Sequence, residues 1–431
     1  MSSKIPTQRS SDRAREHGAA AAPRVGVLEW FRPAEHERVE RVLADLKVLG
    51  VSHLRTGVSW ADWCAEGGEA WYDWLVPRLA REVELLPCFV YTPPSLGIAA
   101  KCSSPPRDPK AYADWLDVVI HRYDAHFHWV ELWNEPNSLR EWDVTLDPNW
   151  QVFCEMVSGA GHWARRLGKR TVLGGMSPID PHWLRLMFER GVMDAVDAVG
   201  IHGFPGTFEY DWEGWSANVA RIQEVLREHG SAAEIWITKA GFSTWRHDER
   251  RQLCEFVKAL EAPVQRLYWY AAHDLQPDVS AGDGSPMDER CFHFGLKRTD
   301  GTPKLLYRFW ASGGLEAVRE AAWMGETTRL IQGKERPVLI TGGAGFIGTN
   351  LAHTLLRGGQ RVLVYDNLSR PGVERNLQWL RETHGDRLQV EVADVRDPYA
   401  LREAVEQASQ VFHFAAQVAV TTSLTDPVTD F

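Results

Sequence analysis

From residue 24 to about residue 310, short apolar runs alternate with stretches in which apolar residues recur every three to four positions. The runs RVGVLEWF (24–31), SHLRTGVSW (52–60), ELLPCFVYT (84–92), FHWVELWNE (127–135), TVLGGMS (171–177), AVGIHGF (198–204), EIWITKA (234–240) and RLYWYAA (266–272) read as strands. Between them, EHERVERVLADLKVLG (35–50) and ANVARIQEVLREHG (217–230) carry a helical apolar stripe and end on Gly50 and Gly230, the residue type that closes helices. Eight strands alternating with helices predict an α/β fold, a (β/α)8 TIM barrel over residues 24–323. Residues 311–336 predict a last helix and then a polar linker (324–336). The first 23 residues, polar and charged without an apolar centre, predict a disordered tail rather than a signal peptide.

A second pattern begins at residue 337. PVLIT (337–341), RVLVYD (361–366), LQVEVADV (388–395) and QVFHFAA (410–416) predict four strands of a partial Rossmann domain, a doubly wound parallel sheet, over 337–431. Tryptophan usage marks the same boundary, because 19 of the 20 precede residue 337 and only Trp379 follows it. The formal net charge of −10 opposes non-specific binding to nucleic acid or to a membrane surface, both anionic, and so directs attention to small-molecule chemistry. Six cysteines without a CxxC pair suit reduced thiols, and no apolar run reaches membrane-spanning length, so a cytoplasmic location is expected. The cluster HRYDAHFH (121–128) lacks a carboxylate at ligand spacing, and no metal site is expected.

Two strand ends carry the candidate chemistry of the barrel. HWVELWNEPN (128–137) ends on Glu135, whereas EIWITKAGFSTW (234–245) carries Lys239. Glycoside hydrolysis usually needs two carboxylates, and a cation stands at the second position. Arg55, His202 and Trp269 lie at other strand ends, where a sugar cleft could use a charge, a hydrogen-bonding ring and a stacking platform; simple packing is an equal reading for each.

WNEPN on the fourth strand, WIT-x-x-G-x-S-T on the seventh and the tail FHFGLKRTDGTPKLLYRFW (292–310) together resemble the large clan of (β/α)8 glycoside hydrolases, its β-xylosidase-like members in particular. That resemblance implies Glu135 as acid/base, Asn134 as a contact to a sugar 2-hydroxyl, and a nucleophilic glutamate where this chain has Lys239. An ammonium cannot attack an anomeric carbon. At the separation of about 5–5.5 Å that retaining enzymes keep, it would also pair with Glu135 and lower the pKa that a general acid needs raised. The expectation is therefore a degenerate, sugar-binding barrel. The alternative is a working hydrolase that uses Glu135 and a second carboxylate such as Glu209, Asp211 or Asp274.

In VLITGGAGFIGTNLAHTLL (338–356), Gly342, Gly345 and Gly348 stand between a strand and a helix. Their spacing permits a tight turn, a close approach to a pyrophosphate and helix-on-strand packing, with the helix N-terminus as anion site. Asp366, at the end of the next strand, is placed to accept both ribose hydroxyls and so to favour NAD over NADP, with Arg370 nearby weakening the preference. Asp394 and Val395 point to the adenine, and the strand 410–416 to the cofactor's middle.

DNLSRPGVERNLQWL (366–380) and AAQVAVTTSLTDPVTDF (415–431) resemble the extended short-chain dehydrogenase/reductase family of NAD-dependent sugar-nucleotide epimerases and dehydratases, and within it the CDP-paratose (CDP-tyvelose) 2-epimerases. The resemblance implies NAD held by Gly342, Gly345, Phe346, Ile347, Gly348, Asp366, Asn367, Asp394, Val395, Ala415 and Ala416, and a nucleotide-sugar substrate near Thr422 and Ser423. It also implies a homo-oligomer formed through a complete epimerase domain. The Tyr-x-x-x-Lys pair of that family does not follow in this sequence, so the chain is expected to be the front part of a longer fusion, without epimerase activity alone.

Overall fold

A computed structural model describes residues 22–276, 287–323 and 336–416. Three of its helices start on an Asp-Pro pair: Asp108 accepts the Lys110 N–H, Asp180 those of His182 and Trp183, and Asp397 those of Tyr399 and Ala400. Each aspartate satisfies backbone donors that a helix start leaves open, and the proline behind it loses nothing by lacking one. The helix His36–Leu49 turns Val39, Val42, Leu43, Leu46 and Leu49 inward, and Gly50 closes it at φ +67°.

The strands β1 (Arg24–Leu28), β2 (His53–Ser59), β3 (Glu84–Val90), β4 (Trp129–Leu132), β5 (Arg170–Met176), β6 (Ala198–Gly203), β7 (Glu234–Ala240) and β8 (Arg266–Tyr270) pair in order, all parallel, and β1 pairs β8 to close the barrel. In its interior Leu28, Leu86, Trp129, Val172, Trp236 and Tyr268 from six strands pack together, with the Arg266 guanidinium 4.3 Å from the Trp236 ring centre. Arg55, paired in register with Leu28 and Leu86, forms a buried ion pair with Glu131, each fully hidden from solvent. The last helix, expected to start near residue 311 ahead of the linker, begins earlier, at Leu305, runs to Trp323 and breaks at Gly313–Gly314.

The second unit is a four-stranded parallel sheet of β9 (Val338–Thr341), β10 (Val362–Tyr365), β11 (Leu388–Glu391) and β12 (Gln410–His413), in the order β11-β10-β9-β12. Alternation sends Ile340 and Val364 to one face and Leu339, Leu363 and Tyr365 to the other, so helices cover both. The strands are shorter than the apolar runs suggest, most of all the third, which ends at Glu391. At the edge, β12 leaves Val411 45% exposed. Arg308 ties the units together, donating to Glu374 at 2.7 Å and to the Arg370 carbonyl at 3.3 Å. No described helix is long and apolar enough to cross a membrane.

Candidate functional site

The barrel's polar groups converge at the carboxyl ends of β4, β6 and β7. Just past β4 the backbone turns through the left-handed region at Trp133 (φ +71°) and Glu135 (φ +42°), which swings Glu135 over the mouth. On β7 one extra residue is inserted: Ile201 faces Ile237, but His202 already faces Lys239. This bulge re-aims the strand end, a known device beside active sites. His202 can lie in the barrel because a Cβ on Gly175 would sit 2.1 Å from its Nε2.

Glu135 Oε1 takes two hydrogen bonds, from His202 Nδ1 at 2.9 Å and from Lys239 Nζ at 3.1 Å; neither uses Oε2. A carboxylate only accepts, so Nδ1 of His202 carries the proton and Nε2 accepts from the Thr238 hydroxyl at 2.9 Å. Burial works to raise the Glu135 pKa, but Lys239 and His202 outweigh it and hold the group well below the usual carboxylate range. Burial likewise pushes His202 down to about 3 against the pull of Glu135, so the imidazole is neutral. The Lys239 ammonium lies 5.3 Å from the Phe204 ring centre and 5.0 Å from that of Tyr270.

Of the other residues expected here, Asn134 and Arg55 act together. Arg55 gives Nε and Nη2 to Glu131, and Nη2 also donates to Asn134 Oδ1 at 2.9 Å. Arg55 is thus a buried strut under Asn134 and offers no free charge to a ligand. Trp269 is 1% exposed and packs edge-on against Phe256, so it presents no stacking face. Trp30, half-buried at the end of β1, is the ring in the mouth: it lies flat on Gly57, where a Cβ would stand 1.6 Å from it, and 6.3 Å from the Tyr91 ring. Among the alternative carboxylates, Asp274 is bound to Lys304 at 2.7 Å and Asp211 is exposed. Glu209 accepts the Phe204 N–H, and burial, aided by the charge of Glu135, raises it to about 6.

A further carboxyl group escaped the sequence reading. Glu141 lies in the loop after β4, with its carbonyl bonded to Trp133 Nε1 at 3.0 Å and its Oε2 buried without a hydrogen-bond partner among the described residues. Burial and then the charge of Glu135 push it up to about 7, against the opposite pull of Lys239, Asn134 and Tyr91.

In the second unit the turn after β9 has Gly342 at φ +66°, and a Cβ there would stand 2.7 Å from the Ala415 nitrogen. The helix Phe346–Arg357 follows with Gly345 as its N-cap and, among the described residues, no side chain capping it, while Phe346 and Ile347 are 83% and 63% exposed. Asp366, raised by burial, accepts from the Ala344 and Leu368 amides, each oxygen keeping a further lone pair. Uncapped amides, a turn that admits only glycine and a carboxylate at the end of β10 fit the phosphates and ribose of a dinucleotide. Asn367 is engaged differently: it donates to Asp394 at 2.8 Å, and Arg396 adds three bonds at 2.9 Å, one from its backbone N–H and two from its guanidinium. These partners overcome burial and hold Asp394 at about 2. Val395 packs against the core on the side of the helix Pro398–Gln407. Ala415 and Ala416 follow β12, whereas Thr422 and Ser423 lie outside the described residues.

Residues 339–430 match the family model described as GDP-mannose 4,6 dehydratase. Over 102 residues the chain is 40% identical to CDP-paratose 2-epimerase of Salmonella typhi, covering 22% of this chain and 28% of that protein. Over 95 residues it is 43% identical to a putative UDP-arabinose 4-epimerase of Arabidopsis thaliana, covering 21% and 22%. The chain thus spans less than a third of the length of these relatives. A family 39 glycoside hydrolase from Bacteroides cellulosilyticus shares the fold at a TM-score of 0.50 and 17% identity, covering 67% of this chain and 63% of its own. The chain therefore joins a barrel with the fold of a glycoside hydrolase to a parallel-sheet unit similar in sequence to nucleotide-sugar epimerases and dehydratases.

Proposed function

We propose that this chain is a carbohydrate-active fusion in which a glycosidase-like barrel, no longer a retaining hydrolase, binds sugar beside the dinucleotide-binding half of a nucleotide-sugar epimerase or dehydratase. The observation that carries the reading of the barrel is the 3.1 Å contact of Lys239 with Glu135. A retaining glycosidase needs a protonated acid and an ionised nucleophile. Here the expected acid is held ionised and the expected nucleophile is a cation.

In the second unit Gly342, Gly345 and the first amides of the helix Phe346–Arg357 would hold a pyrophosphate, and Asp366 the adenosine ribose, disfavouring a 2′-phosphate. NAD, once bound, supplies hydride transfer. The proton transfers of epimerisation need an acid/base pair that residues 337–431 do not supply in the family's Tyr-x-x-x-Lys form, so the chain alone is read as inactive on CDP- and UDP-sugars. A cytoplasmic, oligomeric whole protein suits such substrates.

The second reading, a working hydrolase using Glu135 and another carboxylate, draws support from Glu209 and Glu141, both raised toward neutrality in the same mouth. Assay of the 431-residue chain on aryl β-xylosides separates the two. Turnover by the unmutated chain favours the second reading, and its absence together with measurable sugar binding favours the first.

A further inference from the structure

The ion pair of Glu135 and Lys239 does not engage Glu141, a carboxyl group of the same mouth. Glu141 is tucked back by its carbonyl's bond to Trp133, and Asn134 and Tyr91 act on its carboxyl group, yet its buried Oε2 meets no hydrogen-bond partner among the described residues. A buried polar atom without a partner costs stability, and in a cleft it marks a place where a ligand completes the bonding.

We infer that Glu141 is a ligand-binding residue of the cleft, which as a carboxylic acid donates to one hydroxyl of a neutral sugar while Glu135 Oε2 accepts from a neighbouring hydroxyl. This rests on the reading of the barrel as a sugar-binding module and names what that module takes. The groups that act on Glu141 are Glu135, Lys239, Asn134, Tyr91 and, through its own coupling to Glu141, Cys88. The cation among them, Lys239, is bonded to Glu135. A second negative charge at Glu141 would therefore face an ionised Glu135 in a buried site, and the proton stays on Glu141 up to about pH 7. His202 stays neutral and adds no charge.

The same inventory argues against an anionic ligand. A uronate or a sugar phosphate would meet the charge of Glu135, and Lys239 is already neutralised by it. An acid and a carboxylate side by side offer one donor and one acceptor, which suits two neighbouring hydroxyls. Trp30 and Tyr91 provide rings for the apolar side of a pyranose.

Titration calorimetry of the 431-residue chain with xylobiose at pH 5.5 and 8.5 tests this, with glucuronic acid as the anionic comparison. If only the protonated form binds, apparent affinity scales with its population, and binding weakens about 30-fold at the higher pH. Glu141→Gln keeps a donor but cannot ionise, so it should bind at both pH values with a ratio near one. Equal xylobiose affinity at the two pH values in the unmutated chain, a Glu141→Gln protein that keeps the pH dependence, or tighter binding of glucuronic acid would each overturn the inference. Failure of the unmutated chain to bind xylobiose at either pH overturns the sugar-binding reading of the barrel together with it, whereas pH-independent binding overturns the role of Glu141 alone. Without any ligand, the 13C carboxyl resonance lost in Glu141→Gln should titrate near neutrality, and a midpoint below pH 5 would refute the assignment.

Discussion

The two units keep their chemistry in different materials. In the barrel it resides in side chains: Glu135, His202 and Glu141, whose charges are set by one another and by the Lys239 ammonium. In the parallel-sheet unit it resides largely in the backbone, as a turn that only glycine permits and amides at a helix start, with Asp366 as the main side-chain contribution. A network of side chains can be switched by one residue without disturbing the fold. A backbone cradle resists that kind of switching, and it is damaged mainly by filling it.

The largest effect that would sharpen this contrast is expected from Lys239→Glu. Two carboxylates at the strand ends would raise one pKa by mutual repulsion, and hydrolysis of 4-nitrophenyl β-xyloside should rise from none to a measurable rate with a glycosyl-enzyme trapped by a fluorosugar. A normally folded Lys239→Glu protein with neither turnover nor a trapped intermediate would show that more than one residue separates this cleft from a hydrolase. Next, Glu131→Gln should cost about 3–5 kcal/mol in urea unfolding, because it strands the Arg55 cation in the barrel interior. A loss below about 1 kcal/mol would mean that the interior tolerates a lone charge.

On the other side of the comparison, Gly345→Val should weaken NAD binding about 100-fold by crowding the pyrophosphate, with the circular dichroism spectrum unchanged. Retained binding would place the dinucleotide elsewhere. A milder outcome is expected from Asp366→Ala: about tenfold weaker NAD and a narrowed gap to NADP, read by fluorescence titration. Equal affinities in the unmutated chain would remove the basis of that preference. The smallest effect is one of pH. The Asp394 pKa is depressed to about 2, so its bonds to Arg396 and Asn367 contribute stability that is present above about pH 4 and is lost as pH falls toward 2. Because Arg396 is partly exposed, Asp394→Asn should remove less than about 1 kcal/mol of that acid-side slope.

Much of this was legible in the sequence because local rules decided it. Closing glycines and alternating apolar runs placed the elements to within a few residues, and the facing of Glu135 and Lys239 followed from two strand-end motifs. What was not legible depended on parity and on loop return. Trp269 sits between Tyr268 and Tyr270 on β8, so it points away from the barrel axis and packs under a helix, where strand-end position alone suggested a platform. Arg55 was read as a cleft charge, but its partner Glu131 lies on another strand, a pairing that only closure of the barrel creates. Glu141 follows an unpatterned polar loop, and nothing in NSLREWD tells that the chain folds back to bury it beside Glu135.

The bulge on β7 has a consequence for descent. By inserting Thr238 opposite the step from Ile201 to His202, it directs whatever occupies position 239 at Glu135, and it does so through the ladder's register and not through that occupant's charge. Lysine and glutamate codons differ by a single base. The aim of the strand can therefore outlast a change of the residue at its tip, and a single base separates this lysine from a glutamate aimed at the same point.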